Sequence, residues 1–213
     1  MRTLALAFLL LAAMALGALP ASANPWALGN DDILRAMTDN AVDFTVLDLA
    51  PLDYTIPEPG MATTWHWHTQ DQTYWGHNVS PVQQMDLMLW RPMGGTSYLL
   101  MYKQQVTSGP NFGAHSAPVT NPVLVVPGDV LGYYVPTGQS AILSLDYPGA
   151  GFDPYILNSG ELVVGQTYDF TASNGKRTYS MYVDVCAPVP EPITMLLGAL
   201  GLASVSGLRR IRR

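Results

Sequence analysis

The densest group of residues with chemical potential is Trp65-His66-Trp67-His68. Side chains alternate between the two faces of a strand, so His66 and His68 share one face and Trp65 and Trp67 share the other. Two imidazoles on one face can bind a metal ion if a third ligand arrives from elsewhere. The candidates for that ligand are Asp71, His77 and His115. Ordinary solvent-facing histidines are the alternative interpretation.

Aromatic side chains are concentrated in the same part of the chain. The region from residue 65 to residue 90 contains Trp65, Trp67, Tyr74, Trp75 and Trp90. Flat rings of this kind can stack on sugars, but Trp is also the largest core residue. Trp65 and Trp67 are candidate ligand-binding rings too, although we favour a position in the core for both. Trp75, with Tyr74 beside it in a polar loop, is the better candidate for an exposed ligand-binding ring.

Signatures of catalysis are sparse. Glycoside hydrolysis commonly uses two opposed carboxylates, and the glutamates between residues 24 and 186 are Glu58 and Glu161. The chain has no Gly-x-Ser-x-Gly elbow, no His-Glu-x-x-His motif and no phosphate-binding loop. Cys186 is the only cysteine, so the chain cannot form an internal disulfide. We therefore expect no enzymatic activity and no cofactor.

The candidate residues must be positioned by strands. Short β-branched and aromatic runs alternate with turn residues through the middle of the chain. The predicted strands cover residues 42–49, 62–69, 85–91, 98–106, 123–126, 130–135, 141–146, 166–172 and 178–185. This pattern predicts an all-β domain, an antiparallel β-sandwich or jelly roll, over residues 24–186.

Local patterns add four expectations. Residues 31–37 carry a helical pattern, and residues 107–122 have the composition of a long loop. Asn174-Gly175 is the strongest hairpin signal. In the last predicted strand, side chains alternate between two faces. One face carries Tyr179, Met181, Val183 and Val185, and the other carries Thr178, Ser180, Tyr182 and Asp184.

Charge excludes one class of partner. Residues 24–186 contain five basic and fifteen acidic residues, which gives a formal charge of −10. A nucleic-acid-binding surface needs a basic patch. We therefore expect no nucleic-acid partner.

The N-terminus has the pattern of a secretory signal peptide. A positive charge at Arg2 precedes an apolar run over residues 4–19, and Ala21-Ser22-Ala23 supplies small residues. We expect signal peptidase to remove residues 1–23 and the rest of the chain to cross the inner membrane.

The C-terminus combines three features in order. Pro190-Glu191-Pro192 precedes an apolar stretch over residues 193–208, and the chain closes with Arg209, Arg210, Arg212 and Arg213. A helix over the apolar stretch is about 24 Å long, which is short for the ~30 Å hydrocarbon core. The arginines favour retention on the cytoplasmic side, so the middle of the chain faces outward. The pattern predicts a short transmembrane helix that anchors the protein transiently.

This segment, residues 187–213, resembles the PEP-CTERM sorting signal found on exported proteins of Gram-negative bacteria that make extracellular polysaccharide. The resemblance implies that an exosortase recognises Pro190-Glu191-Pro192 and processes the protein at the membrane. It also implies a final location at the cell surface or outside the cell.

These observations favour an exported, non-catalytic protein associated with extracellular polysaccharide or a biofilm matrix. Two alternatives stay open. The first is a structural matrix protein without a specific ligand, and the second is a metal-dependent enzyme that uses His66 and His68.

Overall fold

The computed structural model describes residues 26–39, 42–49, 54–73, 76–147, 155–157 and 162–186. These residues form strands and no helix, which confirms the prediction of an all-β fold. The strands are β1 (Trp26–Gly29), β2 (Met37–Thr38), β3 (Thr45–Asp48), β4 (Gly60–Thr69), β5 (Gln84–Gly94), β6 (Ser97–Thr107), β7 (Gly113–Pro118), β8 (Leu124–Val125), β9 (Val130–Tyr134), β10 (Ser144–Asp146), β11 (Tyr155–Leu157), β12 (Thr167–Asp169), β13 (Thr171–Ala172), β14 (Thr178–Tyr179) and β15 (Met181–Cys186). The predicted signal peptide and C-terminal helix lie outside the described residues.

The strands form three antiparallel sheets. A five-stranded sheet has the order β1-β15-β4-β7, with β8 also paired to β4. A seven-stranded sheet has the order β12-β6-β5-β9-β3-β11-β13, and a small sheet has the order β14-β10-β2. The longest pairing is the hairpin of β5 and β6, in which Gly94 and Gly95 occupy the turn with positive φ angles of 113° and 57°. Glycine adopts these angles without steric cost.

One hydrophobic core joins the two large sheets. The inward side chains of the five-stranded sheet include Trp65, Trp67 and Val183, and they pack in one cluster with Leu87 and Tyr133 of the seven-stranded sheet. A second cluster includes Leu47, Met88, Trp90, Leu100 and Phe170. Because neighbouring residues of β5 enter both clusters, this strand is buried on both faces, which explains its nearly continuous apolar sequence.

The helical prediction for residues 31–37 is wrong. The chain has no helix there and enters β2, which pairs with β10. Arg35 donates from its backbone N to Ser144 Oγ (2.9 Å), from Nε to Ser180 Oγ (2.7 Å) and from Nη1 to Asp146 Oδ2 (3.0 Å). These long-range bonds hold the segment extended against a weak local helical preference.

Two further local expectations are corrected. Residues 107–122, expected to be a loop, contain β7, which pairs with β4 along the edge of the five-stranded sheet. Asn174-Gly175 forms a turn in which Gly175 has a φ of 95°. The turn leads from β13 to β14, which belong to different sheets, so it does not form a hairpin.

The face prediction for the last strand is confirmed on its inward side. Tyr179, Met181, Val183 and Val185 are fully buried. Tyr182 lies on the opposite face and is partly exposed. Thr178 and Ser180, which the alternation predicts on that same face, are buried instead. Ser180 accepts a hydrogen bond from Arg35 and donates one to the Ile33 carbonyl oxygen.

Candidate ligand-binding face

The five-stranded sheet separates two kinds of side chain along β4. Trp65 and Trp67 are 0% and 1% exposed, whereas His66 and His68 are partly exposed. The predicted alternation and the predicted core position of the two tryptophans are therefore confirmed. Buried rings offer no surface for a sugar, so Trp65 and Trp67 do not form a ligand-binding site in this structure.

The opposite side of this sheet carries a row of rings. We call this side the outer face and define it by Tyr54, His66, His68, Tyr182 and Asp184. The rings of Tyr54 and Tyr182 meet edge to face with centroids 5.2 Å apart, and those of Tyr182 and His66 stack at 4.3 Å with an interplanar angle of 7°.

Strand register explains why these rings meet. Tyr182 of β15 lies opposite His66 of β4 and opposite Gly29 of β1. Tyr54 forms an isolated bridge with Gly29. Cross-strand neighbours on one face have closely spaced Cβ atoms, so the three rings line up across the sheet rather than along it.

Carboxylates border the row of rings. Asp184 Oδ2 lies 3.0 Å from His66 Nε2, and the side chains are 29% and 22% exposed. Tyr54 donates its hydroxyl to Asp31 Oδ1. Burial and the nearby charges of Asp32, Asp184 and Asp31 raise the pKa of Tyr182. These negative charges disfavour ionisation of the Tyr182 hydroxyl.

His68 and His115 have different surroundings. Burial lowers the pKa of His68, although the charge of Asp32 acts in the opposite direction. Its Nδ1 is buried and has no hydrogen-bond partner among the described residues. Burial and the neighbouring His68 lower the pKa of His115, whose Nε2 lies 2.9 Å from Thr69 Oγ1. Lowered pKa values favour the neutral imidazoles at pH 7.

Among the residues that the structure describes, no third metal ligand is grouped with His66 and His68. Asp71 accepts a hydrogen bond from Thr73, and His77 is exposed. His115 stacks on Trp67, on the core side of β4. Within the described ranges, no three His, Cys, Asp or Glu side chains are grouped so that they could hold a metal ion.

A buried polar network lies elsewhere and was missed by the sequence analysis. Asp39 Oδ2 accepts hydrogen bonds from Tyr133 Oη (2.7 Å), Tyr179 Oη (2.8 Å) and Arg177 Nη1 (3.0 Å). Burial raises the pKa of both tyrosines well above the ordinary value. The network joins residues far apart in sequence, and the Asp39 carboxylate at its centre is buried.

Comparison with known proteins identifies the end of the chain. Residues 188–213 match the PEP-CTERM protein-sorting motif. The segment is the C-terminal sorting domain of an exosortase substrate. No curated protein and no solved structure matches the chain. In the part of the chain that the structure describes, no helix is long and apolar enough to cross a membrane.

The PEP-CTERM motif indicates an exported protein that is first associated with the membrane and then cleaved, and it implies exosortase as the processing partner. The motif begins two positions after Cys186, the last residue of β15. The described residues include neither Tyr74 and Trp75 nor the predicted recognition and retention residues of the motif. The recognition residues are Pro190, Glu191 and Pro192, and the retention residues are Arg209, Arg210, Arg212 and Arg213.

Proposed function

We propose that this exosortase substrate is a non-catalytic protein that associates with extracellular polysaccharide or biofilm matrix through its outer face. Its scaffold is a β-sandwich of the two large sheets around their shared core. After signal peptidase and exosortase have acted, the β domain is at the cell surface or outside the cell. The sorting motif supports this assignment, because the signal that it resembles is found on exported proteins of bacteria that make extracellular polysaccharide.

The row formed by Tyr54, Tyr182 and His66 is the observation that carries the proposal. All three residues are partly exposed, and the Asp184 carboxylate lies 3.0 Å from His66 Nε2. Carboxylate oxygens accept hydrogen bonds from sugar hydroxyls, and aromatic rings pack against sugar C–H groups. A glycan chain laid across the strands would meet both kinds of group in succession.

The position of these residues on one face of a sheet favours binding over catalysis. Catalytic sites usually close around the substrate and exclude water. The residues of the outer face come from neighbouring strands of one sheet and from Tyr54 beside it. We therefore propose that the protein holds its glycan without changing it.

Calorimetric titration of the exported, processed protein with polysaccharide fragments from the producing strain tests this function. We expect binding that survives EDTA treatment and that weakens at least fivefold in Tyr182→Ala. Tyr147→Ala is the control, because Tyr147 is an exposed tyrosine outside the outer face. Binding lost with EDTA would instead support a metal held by His66 and His68. The absence of binding with and without EDTA would contradict polysaccharide association.

A further inference from the structure

We propose that Arg35 is a positioning residue for polysaccharide binding: it fixes residues 31–36 beside the outer face and thereby orients the Tyr54 ring. This inference rests on the proposed function and adds to it a residue that lies outside the outer face itself. It follows from a continuous series of hydrogen bonds that leads from Arg35 to Tyr54.

The Arg35 guanidinium is anchored at two places in the domain. Its Nε donates to Ser180 Oγ (2.7 Å), and its Nη1 donates to Asp146 Oδ2 (3.0 Å). Ser180 directly precedes β15, and Asp146 belongs to β10. The side chain of Arg35 is only 8% exposed. Because the donors of a guanidinium point in fixed directions, these two bonds define the position of the group.

The same guanidinium is connected to Tyr54 through Asp31. Arg35 Nη2 donates to the Asp31 carbonyl oxygen (3.4 Å), and Asp31 Oδ1 accepts the hydroxyl proton of Tyr54. The backbone of Tyr54 is held separately, since its N and O form hydrogen bonds of 3.1 Å and 3.2 Å with the backbone of Gly29. The Asp31 carboxylate therefore acts on the direction of the Tyr54 ring rather than on the position of its backbone.

The two anchors of Arg35 also hold the backbone around it. Ser180 Oγ donates to the Ile33 carbonyl oxygen (2.8 Å). Asp146 Oδ1 accepts a hydrogen bond from the Ala36 backbone N (3.0 Å). The guanidinium and the backbone on either side of it thus depend on the same two residues. Loss of the guanidinium should loosen residues 31–36 and weaken the hold on the carboxylate that orients Tyr54.

The direction of the Tyr54 ring matters because this ring is one end of the row. It meets Tyr182 edge to face with centroids 5.2 Å apart. A glycan laid across the strands would contact Tyr54 and Tyr182 in succession. A ring that must be ordered during binding contributes less affinity than one that is held in place beforehand. Arg35 therefore supports binding without touching the ligand.

Calorimetric titration of the exported, processed protein with polysaccharide fragments from the producing strain tests the inference. Arg35→Gln should weaken binding at least fivefold. Arg91→Gln is the matched control, because it breaks another arginine–aspartate pair, with Asp129, and it should bind like the wild type. Melting temperatures compare the loss of stability in the two variants. Unchanged binding in Arg35→Gln, or an equal loss of affinity in both variants, would overturn the proposal.

Ser180→Ala gives a second variant in case Arg35→Gln does not fold. It keeps the pair of Arg35 and Asp146 but removes the hydroxyl that holds Arg35 Nε and the Ile33 carbonyl oxygen. We expect binding to weaken at least twofold. Wild-type affinity in this variant would contradict the role of the anchored segment.

A double-mutant cycle with Tyr54→Phe separates positioning from a general structural role. Tyr54→Phe keeps the ring but removes the hydroxyl that Asp31 holds. Because the connection to Arg35 is then already broken, Arg35→Gln should weaken the binding of this variant less than twofold. A fivefold loss in both backgrounds would show that Arg35 does not act through Tyr54 and would refute the proposal.

The wild-type protein separates the failure of this inference from the failure of the proposed function. If the wild type binds the fragments and Arg35→Gln binds them equally well, polysaccharide association stands and the positioning role is wrong. If the wild type does not bind, the proposed function and the positioning role both fail.

Discussion

Neighbouring residues of β4 have opposite surroundings. Trp65 is fully buried in the core, whereas the next residue, His66, stacks on Tyr182 at the outer face. Because adjacent side chains of a strand point to opposite faces of the sheet, substitutions at adjacent positions should affect different properties. Stability should depend on Trp65, and ligand binding should depend on His66.

Truncation of Trp65 should strongly destabilise the protein. Trp65→Ala removes a large side chain from a packed core, and we expect a loss of about 3–5 kcal/mol in the free energy of unfolding. The neighbouring variant His66→Ala should cost about 1 kcal/mol or less, because its hydrogen bond with Asp184 is partly exposed. Urea denaturation of both variants measures the difference. Similar losses would show that the two side chains are not separated in this way.

The two histidines with lowered pKa values, His68 and His115, should make the protein less stable in mild acid. Burial lowers the pKa of both His68 and His115 in the folded state, so the unfolded chain binds protons more readily. Their contribution to stability is present above the unfolded value of about 6.5 and is lost as the pH falls through and below it. We expect a lower urea midpoint at pH 5.5 than at pH 7.5.

The variant His115→Gln isolates part of this effect. It removes one of the two titrating groups, so the difference in urea midpoint between the two pH values should become smaller. Any packing loss from the substitution would lower both midpoints and would leave that difference unaffected. An unchanged difference would exclude His115 as a source of the acid sensitivity.

At the scale of strands, the sequence predicted the long elements and missed those that depend on distant partners. β4, β5, β6 and β15 have strong local patterns of aromatic and β-branched residues. β7, by contrast, has the sequence Gly-Ala-His-Ser-Ala-Pro, and it is a strand because β4 supplies its hydrogen bonds. The same limit applies to the candidate site. Alternation placed Tyr182 and Asp184 on one face, but the register that sets Tyr182 beside His66 is not encoded locally.

Gly29 in β1 should tolerate no side chain. Its φ is 129°, and a Cβ atom there would lie 2.3 Å from the Met181 carbonyl oxygen. Gly94→Ala provides the control, because Gly94 has a φ of 113° and open space around the position of a Cβ atom. The control should cost about 1–3 kcal/mol through backbone strain alone, and Gly29→Ala should cost more. Equal free energies of unfolding for the two variants would show that β1 accommodates the added methyl group at no further cost.

For the whole molecule, the β domain and the sorting segment carry separate properties. The described residues account for the proposed binding face, whereas residues 188–213 account for processing. The segment contains Glu191 and the closing arginines, which are not part of the outer face. Changes in one part should therefore leave the property of the other part intact.

Sorting should fail when the motif is altered. Glu191→Ala, or deletion of Arg209 to Arg213, should leave uncleaved precursor in the inner membrane, because exosortase recognition or retention at the membrane is lost. Cell fractionation and the mass of the released protein measure the outcome. Glu58→Ala changes an exposed glutamate in the β domain and should be processed normally. Normal release of the motif variants would contradict the assigned roles of these residues.

The place of β15 also determines when the domain can fold. β15 is the last strand of the sequence, yet it lies between β1, the first strand, and β4. Trp26 pairs with Val185, so the first and last strands must meet before the five-stranded sheet is complete. Contacts between residues so distant in sequence form slowly. If the chain crosses the membrane from its N-terminus, we therefore expect the five-stranded sheet to stay incomplete until the final strand has emerged.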